Sequence, residues 1–205
     1  MRKKSITNSN SQTTKNKSTS GFIRVISGQF KGRKLPVKDV QGLRPTTDRI
    51  KETVFNWLMQ DTRGANVLDC YAGSGGLGFE ALSRYAAKVV FFELDKSAAQ
   101  QLQQNIATLK LSNASVKHAD SLLLLADNQY REQFDLVFID PPFRHNLAET
   151  SCQLLEKNHW LSNDALIYVE LESDLNTLKT PDNWMLIKEK KAGQVISRLY
   201  QRSKN

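Results

Sequence analysis

A chain of 205 residues, 40% hydrophobic and 24% charged, has ordinary globular composition and enough length to bury a core as one domain with a small appendage. It lacks the run of roughly 20 apolar residues that a membrane span needs and the apolar stretch of a secretory signal, so a cytoplasmic protein with no membrane partner is expected. The net charge of +8 is uneven: residues 1–51 hold 13 of the 29 Lys and Arg but only two of the 21 acids, Asp39 and Asp48. Such a basic quarter on a mildly acidic body has the electrostatic footprint of a polyanion binder. Cys70 and Cys152 lack metal-ligand spacing and suit a reduced pair. His118, His145 and His159 form no ligand set, and no metal is expected.

Residues 1–20 are Ser, Thr, Asn and Lys with a lone Ile6, too polar to offset their ordering entropy, and are expected to be disordered. Residues 22–26 and 33–37 suit two short strands joined by a glycine-bearing turn, with Pro36 restricting the second to an edge. Arg24, Lys31, Arg33 and Lys34 then decorate one ribbon suited to phosphate contact, with Phe30 as a stacking face. Leu43 to Arg49 leads into a helix capped by Thr46 or Thr47, with Ile50, Val54, Trp57 and Leu58 on one stripe. Its N-terminus beside Arg44 and Arg49 suits an anion.

From Asn66 onward strands and helices alternate, as in a parallel sheet with crossover helices. Strands are expected at 67–69, 88–93, 115–118, 134–140 and 165–170, with helices at 77–86, 96–110 and 145–157. Residues 184–189 and 194–200 suit an antiparallel hairpin around Ala192-Gly193.

The stretch Phe134 to Phe143 organises the rest. Leu136 to Ile139 form a continuous apolar run, as in a strand covered on both faces, and Pro141 and Pro142 end the pairing. Asp140 and Phe143 are thereby presented on a stiff rim, although Asp-Pro-Pro also serves simply to turn a corner. After the first parallel strand, residues 69–78 contain G-x-G-x-x-G at Gly73, Gly75 and Gly78, which also fits a dinucleotide. The loop has no Lys-Ser/Thr of a P-loop. Asp69 before it would repel a pyrophosphate and could bind an ammonium. Glu93, ending the second strand, can accept ribose hydroxyls, and Asp120-Ser121 after the third can meet an adenine amine. Three carboxylates at successive strand ends outline one elongated ligand with amine, ribose and adenine.

These residues resemble the class I S-adenosylmethionine-dependent methyltransferases that modify exocyclic amines. The chain is similar in particular to the RsmD family, which methylates guanine N2 in bacterial small-subunit (16S) ribosomal RNA. The likeness rests on Arg24 to Gly28, Leu43 to Arg49, Phe55 to Leu58, Asp69 to Gly78, Glu80 to Arg84, Asp140 to Phe143, Ile167 to Glu170 and Lys190 to Val195, and runs from about residue 22 to 200. Tyr85 stands where a glycine is expected. The resemblance implies an α/β fold with a mostly parallel seven-stranded sheet, helices on both faces and a small N-terminal β-hairpin extension. It divides the chain into a basic tail (1–20), an RNA-contacting hairpin and helix (21–62) and a methyltransferase domain (63–205).

It further implies that Asp69, Ala72, Gly73, Gly75, Glu93, Asp120 and Ser121 hold S-adenosylmethionine. Asp140, Pro141, Pro142 and Phe143 form the catalytic element, with Phe143 stacking on an extruded base. Arg24, Lys31, Arg33, Lys34, Arg44, Thr46, Thr47 and Arg49 contact the RNA. The partner is small-subunit ribosomal RNA or an assembling small subunit, met by a monomer. Adenine-N6 methylation of DNA or RNA is the alternative, since the Asp-Pro-Pro-aromatic element does not choose the base. A nicotinamide-dependent oxidoreductase and a non-catalytic RNA-binding module are more remote.

Overall fold

The structure, a computed structural model, describes residues 21–38, 47–129, 131–142, 147–173 and 177–203. The polar tail, Arg44, Thr46 and Phe143 lie outside the described residues.

An antiparallel hairpin, β1 (Gly21–Arg24) and β2 (Lys34–Val37), is followed by α1 (Asp48–Trp57). Thr47 caps α1, its hydroxyl accepting from the Ile50 N–H at 3.4 Å. Then come β3 (Asn66–Asp69), α2 (Gly76–Ser83), β4 (Lys88–Glu93), α3 (Lys96–Thr108), β5 (Ala114–His118), α4 (Ser121–Leu125), β6 (Phe134–Ile139), α5 (Leu147–Lys157), β7 (Leu161–Glu172), β8 (Trp184–Ala192) and β9 (Val195–Arg202). The sheet order is β5-β4-β3-β6-β7-β9-β8, parallel from β5 to β7, with β9 antiparallel to both its neighbours. This is the mostly parallel seven-stranded sheet that the resemblance implies. The strand order reverses between β3 and β6, and a ligand crevice forms outside such a switch point.

The apolar strands follow from two covered faces. Val67, Phe91, Leu136, Phe138 and Tyr168 pack with the β1–β2 hairpin, α1, α2 and α3. Their neighbours Leu68, Phe92, Val137, Ile139 and Val169 pack on the other face with α4 and α5. A strand buried on both sides has no position for a polar residue, hence the unbroken run in β6.

The hairpin is bolted to the end of α2. The Gln29 N–H donates to Ser83 O at 2.8 Å and its side-chain amide donates to Leu82 O at 3.0 Å, which satisfies carbonyls a helix end leaves open. Ser83 Oγ accepts from the Phe30 N–H at 2.9 Å, and buried Glu80 accepts from the Ile26 N–H at 2.8 Å. Gly28, at φ +77°, sits so close that a Cβ would lie 1.9 Å from Ser83 O, so no other residue fits.

Several expectations are corrected. Phe30 packs against the core instead of standing free for stacking. Arg24, although exposed, gives its guanidinium to Asp48 at 2.6 Å, and buried Lys51 bonds both Asp48 and the Arg24 carbonyl. Helix α4 was not anticipated, and β7 begins at Leu161, four residues before the expected Ala165. Tyr85 adopts φ 70°, the left-handed conformation that follows a helix end and explains the glycine expected there. Its ring is covered by the Arg63 guanidinium at 4.8 Å. Among the described residues no helix is long and apolar enough to cross a membrane.

Candidate active site

The carboxyl ends of β4, β6 and β7, with the loops after β3 and β5, open on one cleft of about 1390 Å³. Of the expected residues it brings together Thr47, Arg49, Ala72, Gly73, Glu93, Asp120, Ser121, Asp140, Pro141 and Pro142. Lys31, Arg33 and Lys34 are exposed on the hairpin and, with Arg24, lie outside the cleft lining.

One half is built around the loop after β3. Glu93 Oε2 accepts from the Gly73 N–H at 2.6 Å and Oε1 from the Asp95 N–H at 2.7 Å, so a single carboxylate sets the path of two loops. Of the three loop glycines only Gly73 lines the cleft. Gly75 caps α2 at φ +78°, and a Cβ there would come within 2.6 Å of Leu102. At Gly78 a Cβ would lie 2.1 Å from the Phe91 ring, so that glycine serves helix–strand packing. Asp69 also lies behind the surface. It is 2% exposed, and Oδ2 accepts from the Gly78 N–H at 3.1 Å. Burial pushes its carboxyl up to about 7 against the pull of that N–H, with the Glu93 charge adding to the rise. Asp69 thus holds the loop rather than facing an ammonium. It also occupies an N–H at the start of α2 that a pyrophosphate would need, which argues against the dinucleotide reading. Asp120 Oδ1 caps α4 through the Leu122 N–H at 2.7 Å, and the Ser121 hydroxyl donates to Cys70 O.

These residues fit S-adenosylmethionine. Glu93 and Asp120 retain lone pairs toward the cleft for hydroxyls and an amine, Phe92, Leu94 and Leu122 give apolar walls, and the Gly73 backbone allows close approach. The acidic floor suits a cationic ligand.

In the other half β6 ends at Ile139, paired with Val169 of β7, and this register sets Asp140 and Glu170 at adjoining strand ends. Glu170 accepts from the Tyr168 hydroxyl at 2.8 Å, and that oxygen lies 3.0 Å from Ser197 Oγ. Burial pushes Asp140 well above the usual carboxylate range, and the charges of Glu170 and then Asp69 push it further. Burial raises Glu170 too, against the Tyr168 hydrogen bond. Two such groups hold a proton more tightly than either alone.

The wall above them is basic. Arg49 comes from α1, and Lys190 and Lys191 from the β8–β9 turn. Glu170, Lys190 and Lys191 are the residues that sequence reasoning left without a role. The signals were present, since 165–170 ends on a carboxylate as β6 does and the lysine pair precedes a glycine turn. Among the described residues no group of three or more His, Cys, Asp or Glu is placed to hold a metal ion.

The family described as conserved hypothetical protein 95 matches residues 23–201. Ribosomal RNA small subunit methyltransferase D of Escherichia coli strain K12 is 54% identical over 187 residues, 91% of this chain and 93% of that protein. The protein of the same name from Haemophilus influenzae is 55% identical over 183 residues, 88% of this chain and 94% of its own. The solved structure of yhhF from Escherichia coli matches with a TM-score of 0.84 at 52% identity, covering 90% of this chain and 100% of that one.

Proposed function

We infer the reaction from a fixed premise: the chain belongs to the family described as conserved hypothetical protein 95, that of ribosomal RNA small subunit methyltransferase D, and it is a methyltransferase that uses S-adenosylmethionine. Its acceptor, we propose, is the exocyclic N2 amine of a guanine in small-subunit (16S) ribosomal RNA. It acts as a cytoplasmic monomer, with residues 21–62 contributing to the RNA surface and 63–205 to the catalytic domain. The observation that carries this reading is the rim of Asp140, Pro141 and Pro142 beside Glu170, facing the same cleft as Glu93 and Asp120.

An exocyclic amine is a weak nucleophile because its lone pair is delocalised into the ring. Asp140, ionised, accepts one of the amine hydrogens, and the Asp140 or Pro141 carbonyl accepts the other, favouring a pyramidal nitrogen. The prolines keep both acceptors still, so that most of the barrier reduction comes from positioning. Bound S-adenosylmethionine supplies an electrophilic methyl group on a sulfonium that leaves as a neutral thioether. As the nitrogen becomes cationic its proton passes to Asp140, whose affinity for it is raised by burial and by Glu170. Phe143 is the proposed stacking partner for the extruded base.

The test is to incubate the enzyme and labelled cofactor with small-subunit RNA, and separately with small subunits, from cells lacking this gene, then to map the label by mass spectrometry. Label on guanine N2 at one nucleotide is the expected result. Label on adenine N6, or transfer to DNA instead, overturns the assignment.

A further inference from the structure

The basic residues nearest the acceptor are not on the N-terminal ribbon. Lys190 to Gln194, at the β8–β9 turn, are all exposed, and they line the cleft opposite Arg49 and Thr53 of α1. The turn is braced from three sides. The Lys190 ammonium donates to Thr53 Oγ1 at 3.0 Å, joining residues 137 apart in the chain. The Ser173 N–H donates to Gln194 O at 2.8 Å, and Val195 pairs with Glu172. A tip held this way presents its charges at a fixed place, so little ordering entropy is lost when a ligand arrives.

The cations of this wall differ from most others in the protein. Arg24, Lys51, Arg84, Lys88, Arg198 and Arg202 each face a carboxylate within 3.0 Å. Glu189, the acid nearest the tip on β8, is neutralised by Arg198 at 2.7 Å. Arg49 and Lys191 have no carboxylate partner among the described residues, and both are exposed. Beneath them lie Asp140 and Glu170. A polyanion entering this cleft is repelled by the floor and attracted by the wall. Its backbone is therefore held high while a neutral base reaches down to the acids.

We propose that the β8–β9 turn and α1 form a two-jawed phosphate clamp over the acceptor half of the cleft. Arg49 and Lys191 grip the RNA backbone on either side of the target nucleotide, and the Lys190–Thr53 hydrogen bond sets the width between the jaws. The clamp rests on the ribosomal RNA reading above and assigns the backbone contacts to a segment outside the N-terminal hairpin.

The experiment measures binding of small-subunit RNA to the full chain between 50 and 200 mM salt, together with methyl-transfer kinetics, for wild type, Arg49→Ala, Lys191→Ala and Thr53→Val. S-adenosylmethionine affinity and thermal melting serve as controls. Each alanine variant is expected to raise KM for RNA about tenfold and to lower the salt slope by about 1, with kcat at saturating RNA and cofactor affinity unchanged. Thr53→Val raises KM less and leaves the slope alone, because it removes no charge. Methylation with wild-type slopes and KM in both alanine variants overturns the clamp and spares the reaction. RNA binding whose slope depends on Arg49 and Lys191, without methyl transfer, overturns the reaction and spares the clamp. Slopes altered equally for RNA and for an unrelated polyanion such as heparin reduce it to a non-specific basic patch, which also counts against it.

Discussion

The two halves of the cleft are floored by the same kind of residue at the same kind of place, a carboxylate where a parallel strand ends, yet they are built in opposite ways. On the β4 side Glu93 takes N–H bonds from Gly73 and Asp95, and beyond β5 Asp120 takes its own from α4. On the β6 and β7 side no group among the described residues donates to Asp140, and Glu170 holds only the Tyr168 hydroxyl. Carboxylates with backbone donors are fixed, charged acceptors suited to holding a ligand. Carboxylates without them, buried side by side, trade protons. The difference lies in the turn that follows each strand: a loop or helix start supplies N–H groups, whereas Pro141 and Pro142 have none.

The sharpest way to break this contrast is Asp140→Ala. Methyl transfer is expected to fall by at least about 100-fold while S-adenosylmethionine affinity stays within about twofold by calorimetry. A parallel loss of affinity would mean the two halves are not separate. The mirror experiment is Glu93→Ala, which removes two loop anchors and the hydroxyl acceptor. Cofactor binding should weaken by roughly 10- to 100-fold, with kcat at saturating cofactor changed far less. If kcat collapses at saturation, the division fails from the other side.

The third comparison concerns protons. The rate should rise with pH in a range above that of an ordinary carboxylate, because Asp140 must be ionised to accept the amine hydrogen and its proton is held unusually tightly. Glu170→Gln removes a neighbouring negative charge and should move that rise to lower pH by about 1 unit. A pH–rate profile that does not move would leave Glu170 a bystander. The smallest effect is on stability. Asp69 binds its proton more tightly folded (about 7) than unfolded (3.8), so its contribution is full below the unfolded value and is lost as pH rises through the folded one. Relative to wild type, Asp69→Asn should gain urea resistance between roughly pH 4 and 7 and no more above that. A constant difference across that range would show that the proton is not shared unequally between the two states.

What could be read from the chain beforehand divides along similar lines. The sheet was legible because two-sided burial writes itself into residues such as Leu136 to Ile139, and Asp140 stood out as the first polar residue after such a run. Helix α4 was not legible, since Ser121 to Leu125 is too short to display a period. Glu170 had the same signature as Asp140, but its importance comes from the β6–β7 register, which is a tertiary fact. Charge was the least reliable guide. Arg24 counts toward a basic ribbon in the sequence, yet its partner Asp48 lies 24 residues away and cancels it in the fold. The lysines at the β8–β9 turn sit in a region of near-neutral composition and drew no attention.

The bolt between the first hairpin and α2 has a consequence for how the chain is made. Gln29 and Phe30 meet Leu82 and Ser83 across 53 residues, so the hairpin leaves the ribosome well before its dock exists. At ordinary rates of synthesis that interval is roughly 3 to 10 s, far longer than a hairpin needs to form and fray many times. The earliest described segment of the chain therefore waits for a later one. Gly28, which tolerates no Cβ against Ser83 O, makes that rendezvous a close fit when it comes.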